Sequence, residues 1–418
     1  MAIYLPDSDC LILEVAKTGT KWVRSTLVRA GVKIRLREDK AAGAHGSLRK
    51  YGRKFSLIAC FVRSPFSWYR SYWAYRTEGG WKPTLALDRL CGSASYATFI
   101  WKVFVTRPGF LTSYFASFAG RTNREVGFVG RQERLAEDLI QVLRIAGQRC
   151  DEDVIRSSPR ENATTLRPDE PAHLRDLIAL SEYDALSRYG YLDEWQEPAG
   201  LRAVLAAHPD QQADLLGIAR WTERQHKGFD DRREEDGAST PAARRYARII
   251  LNWGMFAQYV MEDVDLAQQF YERAVRTCPI HPRSLGTLAN FLHTVRHEYD
   301  RAEACYREAL RARPDHPSNL GNFATFLSTV RGASDAAEAL YAKALELDPS
   351  HARNLRNYAA FLENVRGELR ESGRLVLRAN ARRSRIDPLL TDHADGGAQQ
   401  QPGSSERSPD LADLLTDT

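Results

Sequence analysis

The sequence predicts an α/β domain built on a central parallel sheet, followed by an all-α helical solenoid. Short apolar runs within the first 200 residues are each followed at once by a helical pattern, and one set of residues recurs every 35 positions in the last third. The stretch between is too charged to belong to either core. A strand followed by a helix, repeated, points to parallel strands joined by crossover helices and buried on both faces. A fixed period in the mid-thirties points to stacked helix pairs, each burying its apolar face on the next.

At 418 residues the chain has room for two or three domains, taking roughly 100–200 residues for each. A 43% hydrophobic and 27% charged composition excludes collagenous, wholly disordered and disulfide-scaffold classes. No apolar run approaches the length needed to span a bilayer, and residues 1–10 lack a basic stretch leading into an apolar one, so neither a transmembrane segment nor a secretory signal is expected. The six cysteines form no C-x-x-C pair and no metal-ligand spacing. Reduced thiols, a cytoplasmic location and no metal are the expectation. Net charge is +5; residues 388–418 carry six acids against Arg407 alone, so the rest of the chain is at +10. That excess suits an anionic ligand but is too diffuse for nucleic acid.

Taken in order, Cys10-Leu11-Ile12-Leu13-Glu14-Val15 reads as a buried strand. It runs into Lys17-Thr18-Gly19-Thr20 and then a helix with Trp22, Val23, Leu27 and Ala30 on one face, stopped by Gly31. Phe55-Ser56-Leu57-Ile58-Ala59-Cys60-Phe61-Val62 is a second strand, with Pro65 opening the helix that follows. Residues 125–129 are a third, feeding a helix from Glu133 to Ala146 that carries Leu135, Leu139 and Leu143 on one face. These elements place one domain in residues 1–200. Residues 201–245 read as a charged helical connector and hinge, most polar around Asp230 to Gly237.

From about 246 to 380 the period takes over. Pro279, Pro314 and Pro349 are 35 apart, as are Tyr271, Tyr306 and Tyr341; Ala267, Ala302 and Ala337; and Phe256, Phe291, Phe326 and Phe361. Alanine with tyrosine four later alternates small and large on one helix face, and proline ends each second helix because it cannot donate the next backbone hydrogen bond. This small–aromatic–small–proline pattern resembles tetratricopeptide repeats, one residue longer than their usual unit. About three full repeats are expected, and the resemblance implies a groove for a protein partner. Residues 381–418, rich in Gly, Gln, Ser, Pro and Asp, read as a disordered acidic tail, with Leu411-Ala412-Asp413-Leu414-Leu415 as its solvated end.

The chemistry sits at the first two strand-to-helix junctions, where parallel sheets place ligands. Ala16-Lys17-Thr18-Gly19-Thr20-Lys21-Trp22 suits phosphate: Gly19 lets the backbone curl, helix-start amides face the anion, the threonines offer hydroxyls and the lysines full charges. It lacks G-x-x-x-x-G-K-[ST]. At the second junction Arg63 sits at a strand end and Ser71 lies eight residues on, two turns into the helix. Arginine with a hydroxyl can grip a second phosphate. Two separated grips on one sheet edge imply a nucleotide with phosphates at two ends.

The two motifs resemble the cofactor signatures of sulfotransferases that use 3′-phosphoadenosine 5′-phosphosulfate. Residues 16–22 are similar to the family's P-K-[ST]-G-T-T-W loop, with Ala16 in place of proline and Lys21 in place of threonine. Residues 63–71 are similar to its R-x-P-x-x-x-x-x-S motif, and Glu133 with Leu135 to the helix start common in bacterial members. The resemblance covers about residues 8–195 and implies a P-loop-like nucleotide-binding fold. Lys17, Thr18, Gly19, Thr20, Lys21, Trp22, Arg63 and Ser71 would bind the cofactor, and Lys17 would also stabilise charge on the leaving oxygen. His45 resembles the family's lone histidine before the second strand and is the expected general base, with Glu78 and Glu38 as alternatives. Of the aromatic set that follows Arg63, Trp73, Tyr75 and Trp81 are acceptor-site candidates and the others core. The expected reaction is sulfuryl transfer to a hydroxyl or amine, on a carbohydrate or glycolipid. The alternatives are a decayed domain whose repeats act as a scaffold and, behind it, a P-loop nucleotide kinase-like enzyme.

Overall fold

The computed structural model describes residues 2–37, 48, 51, 55–120, 125–159, 166, 168–195, 197–207 and 240–380. The chain divides into two compact units, the first essentially Met1–Glu197 and the second beginning at Pro198. The expected tail over residues 381–418 and the most polar part of the expected connector lie outside the described residues.

The first unit is built on a five-stranded sheet in the order β3-β1-β2-β4-β5. β2 (Cys10–Leu13), β4 (Leu57–Val62) and β5 (Phe128–Arg131) are parallel neighbours, with Cys10 opposite Leu57 and Ala59 opposite Phe128. They are the strands read from the apolar runs. The sheet as a whole is mixed, which corrects the expectation of a purely parallel one. β1 (Ala2–Leu5) pairs antiparallel with β2 through a tight hairpin, and β3 (Arg35–Arg37) pairs antiparallel with β1 at the edge. Asp9 makes the hairpin possible: its φ is 48°, its carboxylate accepts from Tyr4 Oη at 3.0 Å, and its carbonyl accepts from Ser56 N at 3.1 Å.

Side-chain alternation divides the sheet's residues between two faces. On one face Ile3, Leu5, Cys10, Ile12, Ala59 and Phe61 pack with α1 (Thr20–Arg29), α6 (Leu135–Ile145) and α7 (Glu152–Ser157). A helical layer of α2 (Pro65–Gly79), α3 (Ala86–Cys91), α4 (Tyr96–Thr106), α5 (Phe110–Ala119), α8 (Ala172–Ser181) and α9 (Tyr183–Tyr189) completes the unit, with α5 packed on β4. The start of α5 is tied down by Glu182, fully buried, which accepts from the Leu111 and Thr112 amides at 3.0 and 2.8 Å and from Tyr69 Oη at 2.6 Å. Burial pushes its carboxyl above the ordinary range. Its four hydrogen bonds offset that cost.

The second unit opens with α10 (Ala199–Ala207), whose Arg202 donates to the Tyr259 carbonyl at 3.0 Å. Four antiparallel helix pairs follow: α11 (Pro241–Tyr259) with α12 (Val264–Thr277), α13 (Pro282–Phe291) with α14 (Tyr299–Ala312), α15 (Pro317–Thr329) with α16 (Ser334–Leu347), and α17 (Ala352–Phe361) with α18 (Leu369–Asn380). That is one pair more than expected. The recurring tyrosines and alanines are all buried, as the period requires. Successive pairs are joined by a recurring ion pair: Arg331 reaches Asp300, and Arg366 reaches Asp335 at 2.6 Å. They also approach closely where glycine permits it. A Cβ added to Gly286 or Gly321 would lie 2.2 Å from Oδ1 of Asn319 or Asn354, respectively, in the next pair.

Two glycines should therefore respond in opposite directions. Gly321→Ala drives a methyl into Asn354 and should lower the array's melting midpoint, at an overpacking cost of about 1–3 kcal/mol. Gly373→Ala, inside α18 with nothing within 4 Å of the added Cβ, should raise it by about 0.5–1 kcal/mol through the unfolded chain's lost freedom. Thermal melts followed by circular dichroism test both; equal shifts of one sign would refute the close approach.

Candidate functional site

The site forms at the carboxyl ends of β2 and β4. After β2 the chain passes Glu14, buried and ion-paired with Arg24 of α1, which fixes the helix against the strand end. Ala16 is held from both sides: its amide donates to Tyr114 Oη at 3.2 Å and its carbonyl accepts from Trp68 Nε1 at 2.9 Å. The loop then turns through two left-handed residues, Lys17 at φ 65° and Gly19 at φ 86°. Gly19 is demanded twice, because a Cβ there would also lie 2.5 Å from Leu135 Cδ2. For Lys17 the same conformation costs roughly 1–2 kcal/mol.

What holds Lys17 there comes from the second junction. Arg63, first residue after β4, donates from Nη1 to the Lys17 carbonyl at 3.0 Å and from Nε to Ser67 Oγ at 2.8 Å. Ser67 in turn donates to the Ser64 carbonyl at 3.2 Å. A hydrogen bond from a charged donor contributes about 1.5–3 kcal/mol, enough to offset the strain at Lys17. The two strand-to-helix junctions are thus one connected unit. Sequence reasoning identified Arg63 and Ser71 but missed Ser67, whose position four after Arg63 on the helix was the available signal.

Behind Arg63 lies a polar brace that the sequence shows only in part. Glu133 accepts from the Ser64 amide and from Tyr191 Oη, each at 2.8 Å, while Ser64 Oγ donates to Glu194 at 2.7 Å. Arg131 stacks over the Tyr191 ring at 3.9 Å. Glu133 is a brace for the turn that carries Arg63.

The expected binding residues divide by what they touch. Thr18 is buried, and its hydroxyl donates to the Val15 carbonyl at 2.8 Å, closing the loop. Trp22 is also buried and donates to the Ser158 carbonyl at 3.3 Å. Thr20 opens α1, half-buried, with Lys21 exposed beside it; Ser71 is half-buried one turn beyond Ser67. Trp73 is buried and bonded to the Ser93 carbonyl, and Trp81 packs on Phe99. Tyr75 is 48% exposed, with Lys17 Nζ 4.3 Å from its ring centre. His45 and Glu38 lie outside the described residues; Glu78 is exposed near the end of α2.

Electrostatics single out Lys17. Burial first, then the nearby Arg63 and Arg76 charges, lower its ammonium to about 8, with Glu78 pulling weakly the other way. Arg76 itself is buried against Asp88 at 2.9 Å and stacks near Tyr72 and Tyr75. A half-buried ammonium with two guanidiniums nearby offers a place for an anion.

No family model matches the chain, and no curated protein matches it. Among solved structures it is similar to MamA of strain AMB-1, at 17% identity and a TM-score of 0.29, over 47% of this chain and 96% of that one. It is similar also to yeast Tom70, at 16% identity and a TM-score of 0.28, over 79% of this chain and 72% of that one. Likeness at that level carries no argument, and the repeat architecture rests on the helix pairs themselves. No described helix is long and apolar enough to cross a membrane.

The charge cluster is testable without any ligand. With lysines isotopically methylated and followed by NMR, Lys17 should titrate near 8, well below an ordinary lysine. Arg63→Gln removes a neighbouring cation and should move that titration upward; a downward or absent shift would dissolve the cluster. Gly19→Ala should destabilise the first unit by roughly 1–3 kcal/mol, combining left-handed strain with the clash against Leu135.

Proposed function

We propose that the first unit is a sulfotransferase that moves a sulfuryl group from 3′-phosphoadenosine 5′-phosphosulfate to an acceptor hydroxyl or amine on a carbohydrate or glycolipid. The observation that carries this reading is the hydrogen bond from Arg63 to the Lys17 carbonyl, which makes two phosphate-type junctions at adjacent parallel strand ends into one site. The residues fit a doubly anionic nucleotide: Lys17, Arg63 and Arg76 converge, and burial, with the repulsion of the two arginines added to it, lowers the Lys17 pKa.

In this reading the turn through Lys17, Gly19 and Thr20 faces the phosphosulfate end, with Lys21 and Trp22 following on α1. Arg63 and Ser71 hold the 3′-phosphate. The bound nucleotide supplies the sulfuryl donor; the chain supplies position and charge. Lys17 stabilises negative charge on the bridging oxygen as it departs. His45 takes the acceptor proton. Tyr75, exposed beside Lys17, is the aromatic candidate best placed to receive a sugar ring.

A second reading is favoured by the repeat array, four helix pairs long and in register: a scaffold that binds a protein partner, its first unit no longer catalytic. Lys21, where the resembled loop has threonine, is the residue on its side. A kinase-like nucleotide enzyme is disfavoured by the missing Walker sequence.

Calorimetry with adenosine 3′,5′-bisphosphate separates these readings. The sulfotransferase should bind it, with affinity falling as pH rises through about 8, because Lys17 loses its charge there. Lys17→Ala should cut turnover by about 10²–10³-fold while leaving the fold intact. Arg63→Ala should weaken binding by ~2–4 kcal/mol and, because it also releases the Lys17 turn, lower kcat as well. Absence of binding in the intact chain would leave the scaffold reading standing. His45→Ala should lower kcat by about 10²–10⁴-fold with bisphosphate affinity unchanged; near-normal turnover would return the base to Glu78 or Glu38.

A further inference from the structure

Arg63 uses much of its binding capacity inside the protein. Nη1 donates to the Lys17 carbonyl and Nε to Ser67 Oγ, so each fork of the guanidinium has one nitrogen committed to shaping the turn. A phosphate monoester carries close to two negative charges at neutral pH and binds best to paired donors. A grip for one at the β4 junction therefore needs a second cation.

Three further arginines belong to the network around Arg63. Arg131 is buried, stacked over Tyr191 and near Glu194 at 3.9 Å. Arg175 covers the Phe66 ring at 4.1 Å and donates to the Glu194 carbonyl at 3.2 Å. Both hold the fold together. Arg70 differs. It stands on α2, one turn beyond Ser67 and next to Ser71, and Ser67, Arg70 and Ser71 share the helix face that Arg63 meets. Its side chain is 42% exposed. Burial lowers the Arg63 guanidinium below its ordinary value, and the Arg70 charge presses the same way against the upward pull of Glu133.

The contact that Arg70 makes is a weak one. Its Nη1 reaches Glu170 Oε2 at 3.4 Å, and Arg175 Nη1 reaches the same oxygen at 3.4 Å, while Tyr96 Oη holds Oε1 at 3.0 Å. One carboxylate thus faces two guanidiniums, both beyond the usual hydrogen-bond length. A positive charge is left over beside Ser71.

We propose that Arg70 is the second cation of the grip, the residue by which the first unit tells a nucleotide with a 3′-phosphate from one without. The assignment rests on the sulfotransferase reading of the site and adds to it a residue that the resembled motif does not contain. Arg63 shapes the turn and offers its remaining donors; Arg70 brings the charge that the 3′-phosphate requires.

Calorimetry on the full chain tests this, with adenosine 3′,5′-bisphosphate and adenosine 5′-phosphate as the two probes. The intact chain should bind the bisphosphate more tightly. Arg70→Gln should weaken the bisphosphate about 10-fold or more and leave the monophosphate within about twofold, the retained monophosphate affinity reporting an intact fold. Glu170→Gln should act with the opposite sign. It removes the charge that draws on Arg70, keeps an acceptor for Tyr96, and should tighten the bisphosphate by about 2–10-fold. A preference for the bisphosphate that survives Arg70→Gln overturns the role of Arg70 and leaves the sulfotransferase reading in place. Equal weakening of both nucleotides in Arg70→Gln, or a Glu170→Gln chain that loses bisphosphate affinity as Arg70→Gln does, overturns it too, since each marks an ion pair that serves structure. No binding of either nucleotide by the intact chain, or no preference between them, overturns the sulfotransferase reading along with it.

Discussion

The site depends on one hydrogen bond, from the Arg63 guanidinium to the Lys17 carbonyl. A non-glycine residue at φ 65° persists only where its surroundings hold it. Here the holding group is the cation that begins the second motif, fixed by Ser67 on one side and by the Glu133 brace behind its turn. The loop that presents Lys17 is consequently not an independent feature of β2 and α1. It is shaped by the residue after β4, and the parallel pairing of β2 with β4 brings the two within reach.

The second unit obeys a different constraint, a register. The interfaces between the second and third pairs and between the third and fourth reuse the same positions: a tyrosine under two aromatics, a glycine yielding to an asparagine, and an arginine reaching back to an acid. Such repetition makes stability a sum of neighbour terms. It also makes departures informative. Arg356 stands where Gly286 and Gly321 stand in the two preceding pairs, so the close approach they allow is not repeated at the last pair. Arginine replaces aspartate at position 370 in the same region. The pattern thus alters at the last described pair.

How much was legible follows from locality. The three parallel strands were readable because each is a continuous apolar run; β1 is only four residues long and stops at a proline, and β3 is Arg-Leu-Arg with all three residues exposed, so neither announces itself. The third strand lies at Phe128–Arg131, later than the apolar residues at 125–129 imply, because the polar Arg131 belongs to it and buries its guanidinium on Tyr191. The repeats were legible by period alone: Phe256, Ala267 and Tyr271 put the first pair in register although it lacks the histidine–proline start shared by α13 and α15. Lys17, Gly19 and Arg63 could be found from local motifs. Their supports could not: Tyr191 and Glu194 lie 58 and 130 residues from the groups they bond, and only the folded chain makes them neighbours.

The distribution of counter-charges separates arginines that face a carboxylate from Lys17, which faces an aromatic ring. Arg24 is met by Glu14, Arg76 by Asp88, and Arg131 approaches Glu194 at 3.9 Å while stacking on Tyr191. Each of these arginines has a carboxylate to offset its burial. Lys17 has the face of Tyr75 and, more distantly, Glu78, while two guanidiniums press on it from the other side. An aromatic face compensates a buried ammonium only partly, at about 0.5–2 kcal/mol. The balance at Lys17 is thus left positive, and an anion entering the turn between Lys17 and Gly19 would satisfy it directly. Specificity beyond charge must then come from shape, which the contact between Gly19 and Leu135 restricts on one side and the exposed Tyr75 leaves open on the other.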